Sequence, residues 1–229
     1  RYIRRQRQMC IRDSRYAVLF LNLDRFKVVN DSIGLESGDQ ILLELGERLS
    51  QTIGDSGLVC RYGGDEFAIL LTDLDESFSA AASTADAIHD SLRRPFDLDG
   101  TAVFTTASIG VTLCSSQYQR AAEVLRDAGV ATNKAKRLGK SQTAVFDANM
   151  RVEAVNVLRL QNALRQAVNR QEFEVFYQPI VTLANQHLSG FEALVRWEHP
   201  RRGTVGPGEF IPLAEETGLI VPIGLFVLN

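Results

Sequence analysis

Two glycines followed at once by two carboxylates, Gly63-Gly64-Asp65-Glu66, stand between short apolar runs in this 229-residue chain. Leu58, Val59 and Cys60 lead into them through Arg61 and Tyr62, and Phe67 to Leu71 follow. Apolar run, Gly-rich turn, apolar run is the pattern of a β-hairpin. A hairpin needs no paired acids at its tip. Glycine there lets a phosphate approach the main chain without a Cβ in the way, and adjacent carboxylates suit a hard cation shared with that phosphate. A lone Gly-Gly-Asp reads as a solvated acidic turn; the whole string Gly63–Phe67 points to phosphate and cation chemistry.

The surrounding elements must hold that tip in place. Tyr16–Leu23 is an apolar run, as expected of a strand covered on both faces. Ile41, Leu42, Leu45 and Leu49 recur at helix spacing and predict a helix over 38–52. After the 58–71 hairpin an Ala-rich helix is expected over 76–93, ended by Pro95, then strands near 96–98 and 101–113 around the turn Asp97-Leu98-Asp99-Gly100. A helix over 120–138, closed by Gly139, and a strand near 142–146 complete the series. This β-α-β-β-α-β-β-α-β order predicts an α+β fold with a central, mainly antiparallel sheet. Further on, Val157, Leu160, Leu164 and Val168 mark one stripe of a helix over 148–170, followed by strands near 173–182 and 187–197.

Bulk properties narrow the function classes. The length fits one large or two smaller domains. A net charge of −3 gives no electrostatic case for nucleic acid as a partner. Cys10, Cys60 and Cys114 show no metal-ligand spacing; they suit a reducing compartment, with Cys60 and Cys114 expected as small core residues. The three histidines are scattered, so no zinc site is indicated. No apolar run reaches membrane-spanning length. The expectation is a cytoplasmic protein, tethered to a membrane only through segments upstream of this sequence.

Arg61–Phe67 resembles the signature of the GGDEF family, the diguanylate cyclases, which condense two GTP into cyclic di-GMP. Phe20–Asp39 is similar to that family's first strand and nucleotide loop, Ala107–Val111 to its central-strand motif, and Ala135-Lys136 with Gly139-Lys140 to its last-helix phosphate clamp. A second resemblance starts at Tyr177–Ile180 and continues through Glu192–Pro200 and Phe210–Leu219: these look like the opening of an EAL domain, the cyclic di-GMP phosphodiesterase family. The domains expected are a leader over 1–14, a GGDEF domain over 15–147, a helical connector over 148–170 and a partial EAL domain over 171–229. The leader lacks the Asp-x-Leu-Thr-Gly-Leu stretch that usually opens a GGDEF domain. Met9–Ser14 resembles a translated sequencing adapter, so the leader is read as non-native.

The resemblance implies a ferredoxin-like, nucleotidyl-cyclase palm, followed by the start of a (β/α)8 barrel. It implies attack of one GTP's 3′-hydroxyl on the α-phosphate of another, with Mg2+ or Mn2+ as cofactor and a homodimer bringing two GTP face to face. Gly63 and Gly64 then carry phosphates, Asp65 is a metal ligand and Glu66 the neighbouring catalytic acid. Asn30 and Asp39 read guanine, and Lys136 and Lys140 contact phosphate. In the EAL segment Glu192 matches a metal ligand, and Gln178 and Arg196 match substrate contacts. The other ligands of that site would lie beyond Asn229, so residues 171–229 alone are not expected to hydrolyse cyclic di-GMP.

Several positions depart from the family pattern. Asn22 stands at the second metal carboxylate, while Asp24 matches a more structural position. Two unit charges 4 Å apart are worth about 4 kcal/mol at an effective dielectric of 20, so a missing carboxylate weakens cation binding substantially. Leu35 replaces a usual His, Gly129 a usual Asp and Lys140 a usual Arg. Gly54-Asp55-Ser56-Gly57 replaces the Arg-x-x-Asp of the inhibitory product site, so no product inhibition is expected through it. Two functions follow: a cyclase weakened by Asn22, or a GTP-binding module without turnover that tunes an attached phosphodiesterase.

Overall fold

The structure is a computed structural model that describes residues 15–74, 79–98, 100–114 and 118–228. The leader over 1–14 and the start of the helix expected from residue 76 lie outside the described residues, as does the side chain of Cys114. The chain forms two compact units, the first extending through Arg151 and the second starting at Val152.

The first unit is built on β1 (Tyr16–Leu23), at the centre of a five-stranded sheet of order β2-β3-β1-β6-β7. β2 (Gly57–Gly63) and β3 (Glu66–Leu71) form the expected hairpin; β6 (Ala107–Cys114) lies antiparallel to β1 on its other side, and β7 (Thr143–Val145) runs parallel to β6. Both faces of β1 are covered. Leu19, Leu21 and Leu23 pack with Ile41, Leu45 and Leu49 of α2 (Leu35–Ile53) and Ile88 of α3 (Ser79–Leu92). Val18 and Phe20 meet Val124 and Ala128 of α4 (Ala121–Arg137). Thr132 fastens α4 to the strand by donating its hydroxyl to the Phe20 carbonyl at 2.8 Å. Gly110 lets α4 lie this close to β6: a Cβ there would stand 2.0 Å from the Ala128 carbonyl oxygen. This mainly antiparallel sheet between helices is the palm architecture the sequence predicted.

Three local expectations fail. A further helix, α1 (Phe26–Ile33), precedes α2; its weak apolar pattern hides it, with Phe26 its only buried residue. The single strand expected over 101–113 divides. β5 (Thr101–Val103) pairs with β4 (Phe96–Leu98) in a separate ribbon, and only β6 joins the sheet. Cys60 is exposed rather than a core residue. β2 is an edge strand whose Leu58 is also 68% exposed, so an apolar triplet that looked buried has one face open.

The second unit holds most of α5 (Ala148–Arg170), then β8 (Phe173–Val181), β9 (Leu188–His199), β10 (Gly203–Val205), α6 (Pro207–Thr217) and α7 (Ile220–Leu228). Its sheet is antiparallel, in the order β10-β9-β8, and does not close. Trp197, Phe173 and Phe210 form an aromatic core with Leu160 and Leu164 of α5. These elements agree with the opening of an EAL barrel.

Candidate nucleotide site

The hairpin tip is the two residues Gly64 and Asp65, with Gly63 and Glu66 paired beneath them. Gly64 has φ of 54°, a left-handed backbone that glycine adopts without a Cβ penalty. A Cβ on either Gly63 or Gly64 would meet nothing within 4 Å, so the main chain here is open to a ligand. Asp65 and Glu66 are both half-buried.

β1 brings Asn22 to them. Asn22 lies opposite Glu66 in the β1–β3 register, which puts their side chains on one sheet face. The next residue is tied to the tip as well: the Leu23 N–H donates to the Asp65 carbonyl at 3.2 Å. Asn22 is 7% exposed, and its amide nitrogen lies 3.3 Å from Asp65 Oδ1 and 3.5 Å from Glu66 Oε1. Asn22 therefore acts as a donor to both acids.

Asn30 and Asp39 come from α1 and the first turns of α2. The buried Asn30 Oδ1 has no hydrogen-bond partner among the described residues. It lies against Gly38, where a Cβ would approach it to 1.9 Å. Asp39, the next residue, is exposed and pairs with Arg61 at 3.6 Å. Arg61 also donates from Nε to the Gly64 carbonyl at 3.0 Å, linking the hairpin tip to the start of α2. Sequence reasoning missed Arg61, although it stands in the same string as the glycines.

Asp24, just past β1, accepts hydrogen bonds from the Ser108 hydroxyl at 2.7 Å, the Thr106 hydroxyl at 2.7 Å and the Ser141 N–H at 3.0 Å. Its carboxylate is structural: it holds the loop after α4. That loop runs through Gly139, Lys140 and Ser141 with φ of 128°, 65° and 51°, an uncommon conformation for the last two. Lys140 is exposed on the loop, and Lys136 is half-buried in the last turn of α4. The C-terminal end of β1 thus contacts the hairpin tip through Asn22 and Leu23, and Asp24 just beyond it contacts the loop after α4.

Without phosphate oxygens to complete the shell, the protein groups alone fit a tightly held divalent cation poorly. Asn22 presents N–H groups where a ligand needs oxygen lone pairs. Among the described residues no group of three or more His, Cys, Asp or Glu could hold a metal ion. A separate cavity of about 290 Å3, lined by Phe20, Tyr62, Ala122, Leu125 and Arg126, contains none of these site residues.

In the second unit Gln178 and Glu192 are directly opposed in the β8–β9 register, and Arg196 is opposite Glu174. Alternation puts Gln178, Glu192 and Arg196 on the same sheet face. Gln178 and Glu192 are exposed; Arg196 is half-buried, its guanidinium 6.0 Å from the Phe176 ring centre.

Comparison with known proteins agrees with this fold. The family model "Diguanylate cyclase, GGDEF domain" matches residues 1–142, and the EAL domain model matches 161–229. The chain belongs to the GGDEF family and carries an EAL-domain segment behind its GGDEF domain. It is 40% identical to the bifunctional diguanylate cyclase/cyclic di-GMP phosphodiesterase MucR of Pseudomonas aeruginosa, over 97% of this chain and 32% of that protein. It is 38% identical to the cyclic di-GMP phosphodiesterase NbdA of the same organism, over 96% of this chain and 28% of that protein. The chain thus spans about a third of the length of these relatives. Among solved structures, the GGDEF domain of YfiN (TpbB) from Pseudomonas aeruginosa superposes with a TM-score of 0.58 at 36% identity, covering 63% of this chain and 89% of that one. Among the described residues no helix is long and apolar enough to cross a membrane.

Proposed function

We propose that the first unit binds GTP and acts as a weakened diguanylate cyclase within a cyclic di-GMP signalling protein. The observation that carries this reading is the buried Asn30 Oδ1, which has no hydrogen-bond partner among the described residues and lies against Gly38, the residue before Asp39. An acceptor left without a partner costs roughly 1–3 kcal/mol, which a nucleobase donor would relieve. Asp39 accepts from the ring N–H and amino group of guanine, donors that adenine does not present in that arrangement. The triphosphate then lies over the open glycines of the hairpin, with Lys136 and Lys140 as cationic contacts.

In the reaction the 3′-oxygen of one GTP bonds to the α-phosphorus of the other, the bond to the β-phosphate breaks, and pyrophosphate leaves. Glu66 is the group proposed to assist removal of the hydroxyl proton. Each domain holds one nucleotide, so turnover needs two domains facing one another. Asp65 would hold a divalent cation, which would supply charge neutralisation on the phosphates, and Asn22 in place of a carboxylate would weaken that hold. A GTP-binding module without turnover is the second reading, and the donation of Asn22 to both acids favours it.

The test is to incubate the protein with GTP and Mg2+ or Mn2+ beside Asn22→Asp, and follow cyclic di-GMP by chromatography. Product at least about tenfold higher in the variant, a difference of about 1.4 kcal/mol in barrier, is expected. Equal rates would remove the role given to Asn22. No binding of GTP to either protein would reject both readings. In the second unit Glu192, Gln178 and Arg196 are proposed as the opening part of a cyclic di-GMP site.

A further inference from the structure

We infer that Asn22 takes the place of the cation between Asp65 and Glu66, so that guanine nucleotide binding in this domain does not depend on divalent metal. The inference rests on the GTP-binding reading above and specifies the form in which the ligand binds. Backbone register, rather than a side-chain rotamer alone, places Asn22: it faces Glu66 across β1 and β3, and the Leu23 N–H is bonded to the Asp65 carbonyl. A primary amide has two N–H donors. Here its nitrogen reaches one oxygen of each acid, at 3.3 and 3.5 Å.

An aspartate at this position would put three carboxylates side by side, an arrangement that a bound cation or a proton relieves. The amide removes one negative charge and offers donors to the two that remain. Metal and amide therefore compete for the same carboxylate oxygens. The contacts proposed to hold the nucleotide are guanine on Asn30 and Asp39, and for the triphosphate the open main chain of Gly63 and Gly64 with Lys136 and Lys140. None of these is itself a metal contact. The link from Arg61 to Asp39 and to the Gly64 carbonyl keeps the base-reading side and the hairpin tip together without one.

The experiment titrates a slowly hydrolysed GTP analogue into the wild-type protein and Asn22→Asp, each in EDTA and in excess Mg2+. Mn2+ binding is followed in parallel by electron paramagnetic resonance. Wild-type affinity is expected to change less than about threefold between the two conditions, whereas Asn22→Asp gains at least about tenfold with Mg2+. Mn2+ should bind the variant more tightly than the wild type. A wild-type affinity that falls more than about threefold in EDTA would overturn the inference and leave the GTP-binding reading standing. Absence of binding in every condition would instead reject that reading, and this inference with it. The wild-type comparison needs no variant, so it holds even where Asn22→Asp does not fold.

Discussion

Asp127 and the Asp65–Glu66 pair are both acids inside the first unit, yet their surroundings differ in kind. The Asp127 side chain is fully buried and is met by Arg151 through two nitrogens, by the Tyr118 hydroxyl at 2.8 Å and by Arg126 at 3.3 Å. Burial alone would raise its pKa, but the hydrogen bonds from Arg151, Tyr118 and Arg126 outweigh it and hold the carboxyl below the usual range. Among the described residues Asp65 and Glu66 receive a single side-chain amide, at long range, so most of their acceptor capacity stays unused there. The fold supplies its structural acid with cations and leaves the hairpin acids lightly engaged. Asp127 thereby fastens α4 to Arg151 in the first turn of α5, while the hairpin acids remain available for chemistry.

The largest effect should come from Arg151→Ala. It leaves a buried carboxylate without its main cation and should cost about 2–4 kcal/mol, toward the low end of a broken buried pair because Arg151 is partly exposed. Asp127→Asn should cost less, since no buried charge is orphaned. Urea unfolding compares them, and equal losses would contradict the asymmetry. The pH dependence has a definite sign. A depressed carboxyl stabilises fully above its unfolded pKa of about 3.9 and loses that contribution as pH falls through its lower folded value. Asp127→Asn should accordingly flatten the acid limb below about pH 4. At the hairpin, Asn22→Asp should lower stability in EDTA by about 1 kcal/mol through like-charge contact of a buried carboxylate with two half-buried ones, and Mn2+ should restore it. A metal-independent loss of the same size would point to packing instead.

Gly38→Ala sharpens the comparison from the side of the proposed guanine contacts. Alanine is the better helix former, by about 1 kcal/mol, so a purely structural account predicts little harm. The clash with Asn30 Oδ1 at 1.9 Å predicts instead a side chain displaced from its place. GTP affinity should fall about tenfold, near 1.4 kcal/mol, while the thermal midpoint changes little. Retained affinity would separate Asn30 from guanine recognition.

Much of the fold was legible because its signals are local and repeated. The run Tyr16–Leu23, the helix stripe from Ile41 to Leu49 and the glycine pair of the hairpin each carry their own geometry. What escaped depends on pairing that no local window contains. That Asn22 donates to two acids follows only from its register with Glu66. That Cys60 is exposed follows from β2 being an edge strand. The string that revealed Gly63 and Asp65 also contains Arg61, but its partner Asp39 is distant in sequence, and the residue type alone gives no hint of the link. Asp127 showed nothing at all: one acid on a mixed helix becomes a clamp only when Tyr118 and Arg151 fold back onto it.

His89 offers the smallest test, a half-buried ring with three carboxylates around it. Its ring Nε2 lies 3.0 Å from the Thr143 hydroxyl, close to the region that Asp24 organises. Burial lowers its pKa, with a smaller push in the same direction from Arg93; Asp86, Asp24 and Asp90 oppose both, and burial wins. The unfolded chain therefore binds the proton more readily than the folded one. The stability from neutral His89 is complete above its unfolded pKa of about 6.5 and drains away as pH falls toward the lower folded value. His89→Gln keeps a polar partner for Thr143 and removes the titration. Its stability should be flatter than the wild type's from about pH 7 downward. A steeper slope in the variant would mean that the three carboxylates prevail over burial, and that this part of the unit is charged by design like the Asp127 clamp rather than kept neutral.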